Sequence, residues 1–228
     1  MARVYEIAFS GDRTLADAAR DWFDAERVAS WARLPGLSAL DVYRPADEGA
    51  HDPFNADTNG PLLVVMPEFE RPDTHAAARS MLEDDLASLP PGVGVAVSGL
   101  ERRFYAVAGE TSPAPFLAAF SYVVRYHRPA EDEAAFIANY VATHPQTLAK
   151  LPRIRSVMCY FPVQAPVPRK CAVADYIIGN EVAFDSIADF NAATQSPIRH
   201  ELRAHFNAFP RFTGPSTHFP MNRTRLVG

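Results

Sequence analysis

Proton-transfer chemistry in this sequence falls to a small set of side chains, most of them in its second half. His144 stands directly before Pro145 on a stripe with Phe136, Tyr140, Leu148 and Leu151, spaced as the apolar side of a helix. Proline disfavours helical geometry in the residue before it, so the imidazole can lean over the barrel mouth. An imidazole near its ordinary pKa can then serve as general acid or base at neutral pH. The alternative for the same residue is a satisfied, partly buried histidine on an apolar face. Arg125 and His127 lie two positions apart, hence on one face of a strand: the first is a cation for stabilising an anion, the second another acid/base candidate.

Other polar groupings carry less. His200 and His205 are spaced i, i+5, which is wrong for sharing a metal, and read as solvated. Glu83-Asp84-Asp85 reads as an exposed helix face. The sequence contains no P-loop, G-x-G-x-x-G, G-x-S-x-G or H-E-x-x-H element, so nucleotide binding and hydrolase chemistry have no support. Cys159 and Cys171 are too few for a disulfide scaffold or a structural zinc site, and two reduced thiols are expected.

A repeated framework must position these residues. Shifted by 117 positions, Tyr5–Tyr43 lies on Tyr122–Tyr160 without a gap, with Ala25 on Ala142 and Leu34-Pro35 on Leu151-Pro152. A period this long is a domain-sized duplication. In the first copy, strands are expected at Val4–Phe9, Leu37–Tyr43 and Leu62–Met66, then one or two short ones within Val93–Val97 and Arg102–Val107. Helices are expected at Thr14–Ala32, with Thr14 as N-cap, and at Thr74–Leu86. The second copy repeats the order: strands at Ala118–Tyr126, Ile154–Phe161, Ala172–Ile178 and Thr217–Met221. Its helices are Glu131–Lys150, a stretch from Ser186, and one opened by Ser196-Pro197. Gly109–Pro115 has linker composition, giving a first unit 1–108, a linker 109–116 and a second unit 117–228.

Each unit reads β-α-β-β-α-β, the ferredoxin-like split pattern. Both helices cover one face of a four-stranded sheet, and leaving apolar sheet bare costs roughly 25 cal/mol per Å². The expected fold class is therefore α+β: two tandem ferredoxin-like units packed sheet to sheet as an intramolecular α+β barrel, helices outside. Strand alternation puts Tyr5, Ile7, Phe9, Tyr122, Val124 and Tyr126 under the helices. Glu6, Arg125 and His127 then point into the barrel, with Asp41, Tyr43, Met158, Tyr160, Asp175 and His218 as further lumen candidates. Buried charge is costly unless paired, so these groups imply either a ligand pocket or a Glu6–Arg125 pair across the duplication.

Hydrophobic residues make up 48% and charged residues 21%, which suits a globular protein with an ample core. The net charge of -5 and the lack of a basic run argue against a nucleic-acid partner. Met1–Glu6 lacks the apolar core of a signal peptide and no stretch approaches a membrane span, so a cytoplasmic protein without a membrane partner is expected.

Tyr140-Val141-Ala142-Thr143-His144-Pro145, followed by Leu148 and Leu151-Pro152, resembles the EthD family of the dimeric α+β barrel superfamily. Asp175-Tyr176-Ile177-Ile178, Phe184-Asp185-Ser186 and Ala208-Phe209-Pro210-Arg211-Phe212 are similar to further elements of that family. The first unit keeps the framework without these marks, Arg27 standing opposite His144. The resemblance implies a small organic or polyketide-like substrate. It supports a cofactor-free enzyme using acid/base chemistry in the barrel cavity, isomerase, lyase or oxygenase-like. His144 or His127 would be the acid/base group and Arg125 the anion stabiliser, with Tyr43, Tyr122, Tyr160, Asp175 and His218 against a small hydrophobic ligand. A non-catalytic small-molecule-binding or accessory protein is the second reading and a heme enzyme of the same fold a third. Association into a homodimer stays open.

Overall fold

The computed structural model describes residues 3–57, 60–70, 75–108, 118–169 and 171–228; the expected linker, 109–116, lies outside them. The first unit runs β1 (Arg3–Ser10), α1 (Ala16–Trp22), a π-type turn (Phe23–Arg27), α2 (Val28–Trp31), β2 (Leu37–Pro45), β3 (Leu63–Phe69), α3 (His75–Leu86) and β4 (Gly94–Tyr105). The second runs β5 (Phe120–His127), α4 (Glu133–Leu148), β6 (Ser156–Pro162), β7 (Ala172–Val173), β8 (Tyr176–Phe184), α5 (Ile187–Thr194), α6 (Pro197–Asn207) and β9 (Ser216–Val227). The shift that aligns the sequences aligns the elements: β1 falls on β5 residue for residue, and the span from α1 to α2 falls on α4.

Local chemistry explains where the boundaries depart from expectation. The first helical segment is opened by Asp12, whose carboxylate accepts from the Thr14 backbone N–H at 2.9 Å and from its hydroxyl at 2.6 Å, so Thr14 is a donor and not the cap. Asp132 caps α4 by accepting from Ala135 N–H at 2.9 Å. Pro145 does not end α4. It removes the N–H that Val141 C=O would receive, and Gln146 Nε2 supplies that bond at 3.1 Å. The helix therefore continues through His144, which does not lean out.

The expected strand Ala172–Ile178 is two strands. β7 runs parallel to β4 on the outside, and β8 carries the central ladder. The fourth strand of each unit is longer than the sequence suggested, and that length closes the fold. β4 pairs with β1 over Gly94–Glu101 and with β6 over Leu100–Tyr105. β9 likewise pairs with β5 over Ser216–Asn222 and with β2 over Met221–Val227. The ring β1-β3-β2-β9-β5-β8-β6-β4 returns to β1, antiparallel throughout. The two ferredoxin-like sheets thus form an α+β barrel joined edge to edge as well as facing one another, and no barrel strand is left with a bare edge.

Three apolar cores follow. One fills the lumen, with Val4, Met66, Leu100, Val123, Met158 and Phe219. The others lie between each sheet and its helices, around Trp31 and Phe23 in the first unit and around Phe136, Tyr140 and Phe190 in the second. Cys159 belongs to the second unit's core and Cys171 packs against the first unit's; both are free thiols. Among the described residues, no helix is long and apolar enough to cross a membrane.

Candidate functional site

The lumen is closed by its own side chains. Arg125, 1% exposed, donates to Glu6 from Nε at 3.0 Å and also from Nη2, and its guanidinium lies 4.8 Å over the Tyr160 ring. Tyr176 donates its hydroxyl to the other Glu6 oxygen at 2.8 Å. Gly179 faces Arg125 across the β5–β8 ladder, and a Cβ there would stand 2.7 Å from Arg125 Cδ, so only glycine leaves room for the guanidinium. Tyr43, Tyr160 and Ser121 direct their hydroxyls at Glu181, at 3.3, 2.7 and 2.6 Å. Asp41 is held by Arg223 and Arg225. Of the two readings of these inward charges, the structure takes the Glu6–Arg125 pair. Arg125, Tyr43 and Tyr160 are committed to protein partners.

Three expected site residues sit elsewhere. His218 pairs in register with Val124, which puts it on the helix side of the sheet and not in the lumen. Asp175 precedes β8, with its side chain 68% exposed and bound to Arg128 at 3.2 Å, so it does not face the lumen either. His127 lies half-buried at the barrel rim, its Nε2 3.2 Å from Thr217 Oγ1 and its ring edge-on to Tyr176. Burial and the neighbouring Arg125 lower its pKa.

A narrow cleft with a cavity volume of about 60 Å³ opens between the second unit's sheet and its helices. Tyr122, Val124 and Tyr126 of β5, Asn180 and Val182 of β8, and His218 of β9 form its floor. His144 and Leu148 of α4, Phe190 of α5, and Leu202 and Phe206 of α6 form its walls. The mouth is bordered by Arg199 and Arg203 of α6 and by Asp52 and Asn55, which come from the first unit's β2–β3 loop. That loop is latched on: Asp52 takes two bonds from Arg199 at 2.8 Å each, and His51 C=O accepts from Thr194 Oγ1 at 2.9 Å.

The repeat supplies an internal control for this cavity. Trp31 of the first unit, fully buried, aligns in the sequence repeat with Leu148 of the second. The larger indole packs into the first unit's core, whereas the smaller leucine lines the second unit's cleft. Tyr5 donates its hydroxyl to Pro166 C=O at 3.0 Å, a carbonyl from the second unit's β6–β7 loop. Its counterpart Tyr122, stacked on Phe190 with centroids 4.4 Å apart, has a buried hydroxyl with no hydrogen-bond partner among the described residues. His144 Nδ1 is buried in the same condition; Nε of its counterpart Arg27 also makes no hydrogen bond but is ion-paired with Asp85 at 3.3 Å. An orphaned buried polar atom costs about 1–3 kcal/mol, and the two in this apolar cleft offer hydrogen bonds to a ligand's polar groups.

His144 is 6% exposed and packs against Tyr140 at 4.8 Å and Phe209 at 5.3 Å. Burial, then His205 and Arg199, push its pKa down to about 3. Burial pushes His218 down to about 4, with Asp52 opposing and Arg199 reinforcing. Burial, with Asp52, raises the Tyr122 phenol, which stays protonated. At neutral pH the cleft thus offers neutral imidazoles and a hydroxyl. His205, expected to be solvated, is half-buried 6.2 Å from the His144 ring. Asn180, Arg199, Arg203 and Asp52 were not singled out from the sequence. The Trp31-to-Leu148 exchange at aligned positions was the signal available there for the cavity.

These shifts carry a stability prediction. An unfolded histidine takes up a proton near pH 6.5, whereas His144 and His218 resist it until about pH 3 and 4. The unfolded chain then binds more protons, so stability falls as pH drops below about 6.5, by up to about 1.4 kcal/mol per pH unit for each histidine. Urea midpoints at pH 7 and pH 5 check this: the wild-type midpoint should drop, and His144→Phe should flatten the dependence.

No family model matches the chain, and no curated protein sequence matches it. Solved structures do. An anthrone oxidase-like protein superposes with a TM-score of 0.65 at 11% identity, covering 98% of this chain and 92% of that one. A proposed monooxygenase of Lactobacillus acidophilus NCFM gives 0.52 at 9% identity, covering 99% and 96%. A proposed chlorite dismutase gives 0.51 at 10% identity, covering 98% and 94%. Coverage this complete on both sides means that the whole tandem arrangement is shared, and at these identities what is shared is the α+β barrel fold.

Proposed function

We propose that the chain is an enzyme that binds a small, flat, aromatic or polyketide-like molecule in the helix-side cleft of its second unit and acts on it by proton transfer. The observation that carries this is the contrast between Tyr5 and Tyr122: one repeat position, satisfied by protein in the first unit and left facing an open apolar cleft in the second. The resemblance to the EthD family, with His144 as its mark, and the fold shared with oxygenase-like proteins support the same reading. Tyr122 would donate to a ligand oxygen. A histidine whose pKa lies near 3 is a weak base, so His144 would act as a neutral imidazole, donating to or accepting from that oxygen as charge develops on it. Apolar walls exclude water and strengthen both bonds.

The second reading is a non-catalytic carrier with the same cleft. It is favoured by one observation: among the described residues, no carboxylate hydrogen-bonds His144 to set its tautomer and raise its basicity. Native mass spectrometry of the purified protein for a co-purifying ligand, followed by turnover assays on that compound, separates the two. His144→Gln is expected to lower turnover at least 100-fold while leaving the melting temperature within a few degrees. Full activity in that variant would remove His144 from the mechanism, and release of the ligand chemically unchanged by wild type would favour the carrier.

A further inference from the structure

We infer that the ligand of this cleft carries a carboxylate at the end that faces solvent, and that Arg203 is the residue that selects it. The inference rests on the ligand site proposed above and adds the charge of its occupant.

Two arginines of α6 border the mouth, and they are in opposite states. Arg199 is spent: both oxygens of Asp52 hold it at 2.8 Å in a fork-to-fork pair, with side chains that are nearly buried. Arg203, one turn further along α6, has no acidic partner among the described residues, though it is half-buried and lines the same cleft. Its guanidinium is held by stacking, 5.6 Å over Phe54 and 5.1 Å over Phe206. Stacking fixes the plane of the fork and leaves its N–H edge free to donate. Asp57, another carboxylate of the same loop, acts electrostatically on Tyr122 but accepts from Ala50 N–H at 2.7 Å and lines a separate cleft beside Pro45 and Gly60. The charged residues that line the cleft itself, Asp52, Arg199 and Arg203, sum to one positive charge, matched by a monoanion.

The interior sets the opposite requirement. Its histidines are neutral and its walls apolar, so an anion has no counter-charge there, whereas a hydroxyl or carbonyl oxygen meets Tyr122 and His144. The occupant is thus polarised end to end: a flat apolar body, an uncharged oxygen at the inner end and a carboxylate at the outer end. A hydroxylated aryl acid fits this description.

A matched pair of probes tests it. 4-Hydroxycinnamate and its amide share shape and inner hydroxyl and differ in the outer charge. By isothermal titration, the acid is expected to bind wild type about tenfold tighter than the amide at low salt, and the preference should shrink in 0.5 M NaCl. In Arg203→Gln the two should bind alike, at the affinity of the amide. Equal binding of acid and amide to wild type, or an acid preference that survives in Arg203→Gln, overturns the assignment while leaving the cleft as a ligand site. Binding of neither probe to wild type overturns both.

Discussion

Replacing Arg125 with Met is expected to destabilise the protein by about 3–5 kcal/mol, the cost of leaving one partner of a buried ion pair uncompensated. Glu6 is 3% exposed and, among the described residues, would keep the Tyr176 hydroxyl at 2.8 Å. The stacking of the guanidinium over Tyr160 would be lost as well. For a chain of 228 residues this corresponds to a fall in melting temperature of roughly 10 °C. The second arm of the experiment is the double variant Glu6→Leu/Arg125→Met, which removes both charges and keeps the volume apolar. It should recover most of the loss, because the desolvation cost disappears together with the attraction. Equilibrium urea unfolding of the two variants and wild type measures both effects. A loss below about 1 kcal/mol in Arg125→Met would mean that water reaches Glu6 and that the lumen is not sealed.

This pair is legible in the sequence because strand alternation is local and strict. Once Tyr5 and Tyr122 were placed under the helices, Glu6 and Arg125 had to share the opposite face, and the repeat brought their strands into one barrel. The same reasoning failed at His218 for a physical reason. Thr217–Met221 read as a short terminal strand, and a strand's phase is set by its partner's register, which only pairing with β5 supplies. The true strand is Ser216–Val227, and its second half belongs to the other unit's sheet. Residue patterns within one unit carry no trace of that crossing. Pro145 misled in another way: a proline inside a helix is tolerated when a neighbour serves the orphaned carbonyl, and Gln146 does so from the next position. The cleft's mouth was beyond local reading altogether, since the Asp- and Asn-rich loop that carries Asp52 lies 147 positions from Arg199.

The position of the cleft yields the last prediction. If the second unit is open because Leu148 replaces the indole of Trp31, restoring that indole should close it. Leu148→Trp is therefore expected to abolish binding, by at least 100-fold for 4-hydroxycinnamate or for any co-purified ligand. The fold should hold, because the new ring enters existing space lined by Val124, Val182, Phe190 and Leu202 and buries apolar surface worth roughly 25 cal/mol per Å². Stability equal to or slightly above wild type separates this outcome from overpacking, which costs about 1–3 kcal/mol. The reciprocal change, Trp31→Leu, should open a void in the first unit and cost about 3 kcal/mol, near the low end for truncating a large buried aromatic. It should not create a second binding site. Tyr5 is already satisfied by Pro166, and Arg27 with its partner Asp85 stands where the second unit places His144. Titration calorimetry and urea unfolding on both variants decide the matter. Undiminished binding in Leu148→Trp would place the ligand outside this cleft, and the argument from the orphaned hydroxyl of Tyr122 would fall with it.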